Sequence, residues 1–242
     1  MPFDLLLAAV AVVAGGIASV AGFGIGSLLT PVLALETGMK VAVAAIGVPH
    51  AVGTALRFWL LRRHVDRTVL FGFGVASALG GLLGALLHTR VSGRALLLVF
   101  SCLLLLAGIS ELTGWMERVR WGRTAAWLSG VLSGGFGGLV GNQGSIRSAA
   151  MLGFRVPKES FVATATAVGL FVDAARLPVY FATQWRDIAG VWPQVLTATI
   201  GVIVGTVAGR RTLERMPQRA FRRTVAVLLV ALGLYMVVVS GG

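Results

Sequence analysis

The chain has 242 residues, 57% of them hydrophobic and only 12% charged, with a mean hydropathy of +0.88. Soluble domains are about 45 to 50% apolar with roughly a quarter of their residues charged, so a water-soluble globule is excluded and an integral membrane protein remains. The formal charge of +12 would suggest nucleic acid in a soluble protein, but Lys and Arg fall in short loops between apolar runs, the pattern of positive-inside orientation, and no nucleic-acid partner is expected.

Apolar runs bounded by charged loops predict, in chain order, helices over Phe3 to Ala21, Ile25 to Leu35, Val41 to Leu61, Thr68 to Leu87, Ala95 to Leu112, Thr124 to Gly135, Leu139 to Phe154, Ser160 to Ala182, Ile188 to Gly209 and Phe221 to Ser240. Most approach the ~20 residues that cross the hydrocarbon core. Ile25 to Leu35 and the pieces flanking Phe136 are short and bounded by glycine. Phe3 to Leu35 and Thr124 to Phe154 are therefore read as hairpins, each broken near the membrane middle and returning to its starting side. No Lys or Arg precedes Lys40, so the first run lacks the basic flank of a signal peptide and is expected to stay in the mature chain. The single cysteine, Cys102, excludes an intrachain disulfide and a cysteine metal site. The 33 glycines are about 14% of the chain, double the usual share, with no collagen period. They predict helices packed backbone to backbone or deliberately broken.

Loop charges support the hairpins. With both termini outside, the inner loops carry Arg62, Arg63, Arg67, Arg118, Arg120, Arg123, Arg155, Lys158, Arg210, Arg211, Arg215, Arg219, Arg222 and Arg223, against Lys40, Arg90, Arg94 and Arg186 outside. Treating each hairpin as one crossing puts the majority outside, which the positive-inside rule disfavours. One hairpin plus three crossings is an odd count, so residues 119–242 start on the opposite side from residues 1–118. The fold class expected is an all-α polytopic membrane protein, a single transmembrane domain of two inverted repeats, each a glycine-broken helical hairpin plus three transmembrane helices. Gly26-Ser27 and Gly144-Ser145 lie 118 residues apart, Arg57 and Arg176 119, and the Gly80/Gly84 and Gly201/Gly205 pairs 121. Inverted repeats with discontinuous helices are the architecture of secondary transporters.

The first break reads Gly22-Phe23-Gly24-Ile25-Gly26-Ser27, followed by Pro31, and the second ends Gly141-Asn142-Gln143-Gly144-Ser145-Ile146-Arg147-Ser148. A half-helix that starts after such a break presents unpaired N–H groups and a positive dipole end, which bind anions. Gly24, Gly26, Ser27, Asn142, Gln143, Gly144, Ser145 and Arg147 are the candidate binding residues; the competing reading is small-residue helix packing with Asn142 and Gln143 joining helices. An arginine at that depth costs about 2.5 to 3.5 kcal/mol even on the lenient insertion scale, which favours the site.

Two polar stripes run at helical spacing: Gly47, His50, Thr54, Arg57, and Thr166, Gly169, Asp173, Arg176, Tyr180. His50, Arg57, Thr166, Asp173, Arg176 and Tyr180 are candidate pathway or gating residues. Plainer roles compete: an Asp173–Arg176 pair that neutralises itself, an Arg57 that snorkels to the interface, and a His50 that only bonds helix to helix.

The paired glycine breaks, Gly141-Asn142-Gln143-Gly144 with Arg147-Ser148-Ala149-Ala150, and Asp173-Ala174-Ala175-Arg176-Leu177-Pro178-Val179-Tyr180 resemble the TauE/SafE sulfite exporter family, also called the toluene-sulfonate uptake permeases, over nearly the whole chain. The resemblance implies a multi-pass protein of the bacterial inner membrane that moves small sulfur-containing anions such as sulfite or organosulfonates. Asn142-Gln143, where many relatives have more glycine, and Ala149-Ala150, against Pro31 in the first copy, keep the substrate's identity from carrying over. The expected partners are that small anion and the lipid bilayer, with a homodimer left open; no cofactor and no metal is expected. Lys40 and Lys158 are the only lysines and no phosphate-binding loop occurs, so ATP-driven transport would need another subunit. An anion channel is the alternative, and an intramembrane enzyme the remoter one, since no serine sits in Gly-x-Ser-x-Gly.

Overall fold

A computed structural model describes residues 2–114, 123–142, 144–152, 158–213 and 218–241, and among these there is no strand. The first helix, α1 (Pro2–Ala21), ends where Gly22 turns left-handed at φ 78 and bonds its N–H back to the Ala18 carbonyl, a conformation glycine adopts without steric cost. Next comes α2 (Ile25–Leu61), which Gly38 at φ 75, ψ 161 interrupts, giving a short segment 25–37 and a long one 39–61. After a single 3-10 turn, α3 (Arg67–Arg90) starts with the Asp66 carboxylate accepting from the Val69 N–H and contains one π turn, Leu70–Gly74. Ser92 caps α4 (Gly93–Thr113) in the same way. The second half runs α5 (Arg123–Val140), α6 (Gly144–Leu152), α7 (Lys158–Gly190), α8 (Trp192–Leu213) and α9 (Gln218–Gly241).

Two expectations about helix ends are corrected. The second break lies at Gly141 and Asn142, not beside Phe136: α5 runs unbroken through Phe136, and Gly141, at φ 75, bonds back to the Gly137 carbonyl as Gly22 does to Ala18. The glycines around Phe136 serve packing instead, since a side chain at Gly134 would collide with the Ser77 carbonyl and one at Gly138 with the Gly81 carbonyl. Ile188 belongs to the last turn of α7, which runs to Gly190 after a bend at Gln184 (φ −135, ψ 24), and α8 opens only at Trp192-Pro193, where proline's missing N–H is harmless.

Close helix crossings account for much of the glycine. α1 packs on α8 and α3 on α5, with Gly15 against the Val202 carbonyl, Gly205 against that of Val12, Gly80 against Val131 and Gly84 against Gly135. Backbones approaching this closely gain the dispersion and weak hydrogen bonding that hold helices together where lipid removes the hydrophobic drive. Between these pairs α2 and α7 pack against each other, and α4 packs with α9. Five described helices are long and apolar enough to span a bilayer. Rows of exposed Leu and Val, such as Leu79, Leu83 and Leu86, would be untenable in water and face lipid. The chain is a multi-pass membrane protein.

Candidate functional site

The two helix breaks meet. A side chain at Gly26 would run into the Gly141 carbonyl, and one at Gly144 into Phe23. Ser27 Oγ donates to Asn142 Oδ1 at 3.3 Å. From the first turn of α6, Arg147 crosses into the other break and donates from Nη2 to the Gly22 carbonyl at 3.1 Å. Gly24, at φ 128, begins α2 with no side chain capping it, so the first N–H groups of that half-helix keep their positive end. Gln143 and the side chain of Ser145 lie outside the described residues.

Beside this junction the stripes of α2 and α7 face each other, running in opposite directions. His50 Nδ1 lies 2.8 Å from Asp173 Oδ2. Asp173 Oδ1 accepts from Arg176 Nε at 2.9 Å and lies 2.8 Å from its Nη2, and Arg176 Nη1 donates to the Gly137 carbonyl at 2.9 Å. The Tyr180 hydroxyl donates to the next carbonyl, that of Gly138. Arg57 Nη2 donates to Thr54 Oγ1 at 3.1 Å. Gly169 leaves room for the Arg147 guanidinium: a Cβ there would stand 3.0 Å from Arg147 Nη1 and 3.3 Å from Thr54 Cγ2. Thr54 thus sits between Arg57 and Arg147.

The charges in this centre do not balance. Arg57 and Arg147 are each 3% exposed, Arg176 and Asp173 each 1%, and Asp173 is the one buried carboxylate among the described residues. Both its oxygens are engaged, by His50 and Arg176. Nε and Nη1 of Arg57, Nε and Nη1 of Arg147 and Nδ2 of Asn142 are buried without a hydrogen-bond partner. Burying an ion without a partner costs several kcal/mol, so this arrangement has open valences for negative charge.

Of the residues singled out in sequence, Gly24, Gly26, Ser27, Asn142, Gly144 and Arg147 come together at the junction, and His50, Arg57, Asp173, Arg176 and Tyr180 line its flank. Arg57 does not snorkel: it is buried and bonded to Thr54. The Asp173–Arg176 pair forms, but His50 shares it. Thr166 is buried with its hydroxyl donating to Val162 of its own helix, which leaves it outside the polar centre. Sequence reasoning did not rank Thr54 as a site residue, although its place three residues before Arg57 matches that of Asp173 before Arg176. It also passed over His88, buried with Nδ1 2.7 Å from the Leu139 carbonyl and its ring 5.1 Å from that of Tyr180; its place one step further along the four-residue spacing of Gly80 and Gly84 was its only signal. A separate cavity of about 480 Å³, lined by Pro31, Gly38, Met39, Arg94 and Tyr235 among others, shares no residue with this centre. Among the described residues no three His, Cys, Asp or Glu side chains gather to hold a metal ion.

No curated protein and no solved structure matches the chain. The family model described as Sulfite exporter TauE/SafE matches residues 7–236, a stretch that contains both helix breaks, Arg57, Arg147, Arg176 and Asp173. The chain belongs to the TauE/SafE sulfite exporter family of membrane transporters.

Proposed function

We propose that the chain exports a small sulfur-containing anion, such as sulfite or an organosulfonate, across a bacterial inner membrane, and that the anion binds where the two breaks meet. Arg147 and Arg57 supply charge; Asn142 Nδ2, which lacks a partner, and the N–H groups at Gly24, Gly26 and Gly144 supply neutral donors, while Ser27 holds the Asn142 amide by donating to its Oδ1. The observation that carries this reading is the pair of buried arginines with unpartnered N–H groups beside a carboxylate already engaged on both oxygens. An oxyanion meets the charge and the donors together through charge-assisted hydrogen bonds.

Alternating access is the proposed mechanism, with residues 1–118 and 119–242 as inverted repeats. Reciprocal contacts support it. His50 meets Asp173 and Thr54 meets Gly169; shifting His50 and Thr54 by 119 residues gives Gly169 and Asp173, so the two contacts are one contact seen from either half. Gly26 with Gly141 and Phe23 with Gly144 interchange in the same way at 118. A two-fold relation produces contacts of this kind. Arg57 and Arg176 then occupy equivalent places on the two routes to the centre, each raising anion concentration at its mouth.

Purified protein in proteoliposomes should show sulfite counterflow without a gradient. Arg147→Gln should weaken anion binding by about 1.5 to 3 kcal/mol, the worth of a charge-assisted hydrogen bond, in a protein that still melts cooperatively. Unchanged affinity in folded Arg147→Gln and Arg57→Gln variants would move the site elsewhere.

A further inference from the structure

We infer that His50 and Asp173 form a proton site coupled to the anion: one proton enters His50 when an anion occupies Arg57 and Arg147, and leaves when the anion leaves. The inference rests on the anion site proposed above and names what moves with the anion. His50 Nδ1 stands 2.8 Å from Asp173 Oδ2, while the other carboxylate oxygen is held by Arg176. A carboxylate so placed selects the imidazole tautomer that donates from Nδ1, which leaves Nε2 with a lone pair. The His50 side chain is 9% exposed and that of Asp173 2%, so the imidazole is the less enclosed of the two partners.

Charge sets the sign of the coupling. Among the described residues the charged groups acting on His50 are Asp173 and Arg176 from α7 and Arg57 from its own helix, with Arg147 of α6 adjoining through Thr54. Arg176 cancels Asp173, so a proton on His50 in the empty centre would add to the uncompensated charge of Arg57 and Arg147. An anion between those arginines offsets their charge, fully for a dianion and by half for a monoanion, so the repulsion that opposes the imidazolium falls and an opposite charge stands near it. Linkage makes the effect mutual: occupancy favours the proton by the same free energy by which the proton favours occupancy. The step is balanced simply. A proton from water bonds to Nε2, the Nδ1–H bond to Asp173 persists, and the proton returns to water when the anion departs. Because the pair joins α2 to α7, one from each half of the chain, the proton sits where the two halves would move against each other. The transported complex carries one less negative charge, which makes flux depend on the pH gradient as well as on the membrane potential.

The test uses thiosulfate and methanesulfonate, which hold no titratable proton near neutrality, unlike sulfite. Calorimetric titration of the purified full chain, in buffers of different ionisation heat, counts protons taken up per anion bound. Wild type should take up close to one, with affinity rising up to tenfold per unit fall in pH, the limit for one linked proton. His50→Gln should bind with no uptake and a flat pH profile. No uptake by wild type overturns the inference, and so does uptake that persists in His50→Gln, which would put the proton elsewhere. Should His50→Gln not fold, the wild type alone decides: the chain has three histidines, and in 15N-histidine spectra one neutral ring should become imidazolium when the anion is added. A set of rings unchanged by anion overturns the inference. Absence of binding by any sulfur anion, sulfite included, overturns the anion site itself and the coupling with it, a result distinct from binding without a proton.

Discussion

Replacing Thr54 by Asp asks whether Arg57 is kept unpaired for the anion's sake. Arg176 has a carboxylate three residues before it, whereas Arg57 has only the Thr54 hydroxyl, 3.1 Å from Nη2. Thr54→Asp would give Arg57 the partner that Arg176 already has. At about 4 Å and an effective dielectric near 20 the new pair gains roughly 4 kcal/mol of gross attraction, much of it offset by desolvation of the new carboxylate. The anion, by contrast, would face a like charge at about 6 Å, worth roughly 2 to 3 kcal/mol of repulsion on the same footing. Affinity should therefore fall by roughly 30- to 150-fold. The anion-free melting temperature should hold or rise, because a buried cation has gained a counterion, and the stabilisation that added anion gives the wild type should disappear. Calorimetric titration and thermal melts with and without thiosulfate or sulfite read both quantities on one preparation. Binding as tight as wild type would refute the claim that the Arg57 charge serves the anion, and a collapsed fold would refute its having an open valence.

Three further outcomes are expected. Gly134→Ala should destabilise by about 1 to 3 kcal/mol, the cost of overpacking, because its methyl group meets the Ser77 backbone, whereas Gly93→Ala, with nothing within 4 Å, should be neutral; equal melting temperatures would contradict the close α3–α5 crossing. Asp173→Asn should cost about 3 to 5 kcal/mol by stranding Arg176, and Arg176→Gln in the same chain should recover part of it; a lack of coupling in the double-mutant cycle would mean the pair contributes nothing. In a Cys102→Ala background, cysteine at Arg90 should react with an impermeant reagent from outside and cysteine at His64 only after permeabilisation; the reverse pattern would overturn the orientation with both termini outside.

The membrane class, the rough extent of most helices and the presence of arginines within them were legible in sequence because each depends on one residue at a time. Hydropathy is summed along the chain, and a cation in an apolar run is conspicuous wherever its partner lies. The first break was legible too, since Gly22 and Gly24 stand alone between two apolar runs. The second was misplaced by several residues because glycine at that site has two uses with the same signature: Gly134 and Gly138 admit a neighbouring backbone, while Gly141 takes the positive φ. Only the position of α3 separates the two uses. The same holds for the polar stripes. Helical spacing placed His50 and Asp173 on their faces, but the 2.8 Å bond between residues 123 apart exists because α2 and α7 cross in opposite directions. Arg176 finds Asp173 within its own helix, at a spacing visible along the chain, whereas the crossing is what brings His50 to the same carboxylate. Burial and residue type belong to a single position and survive in one dimension, whereas a partner belongs to two positions at once, so the choice among partners waits for the packing of helices.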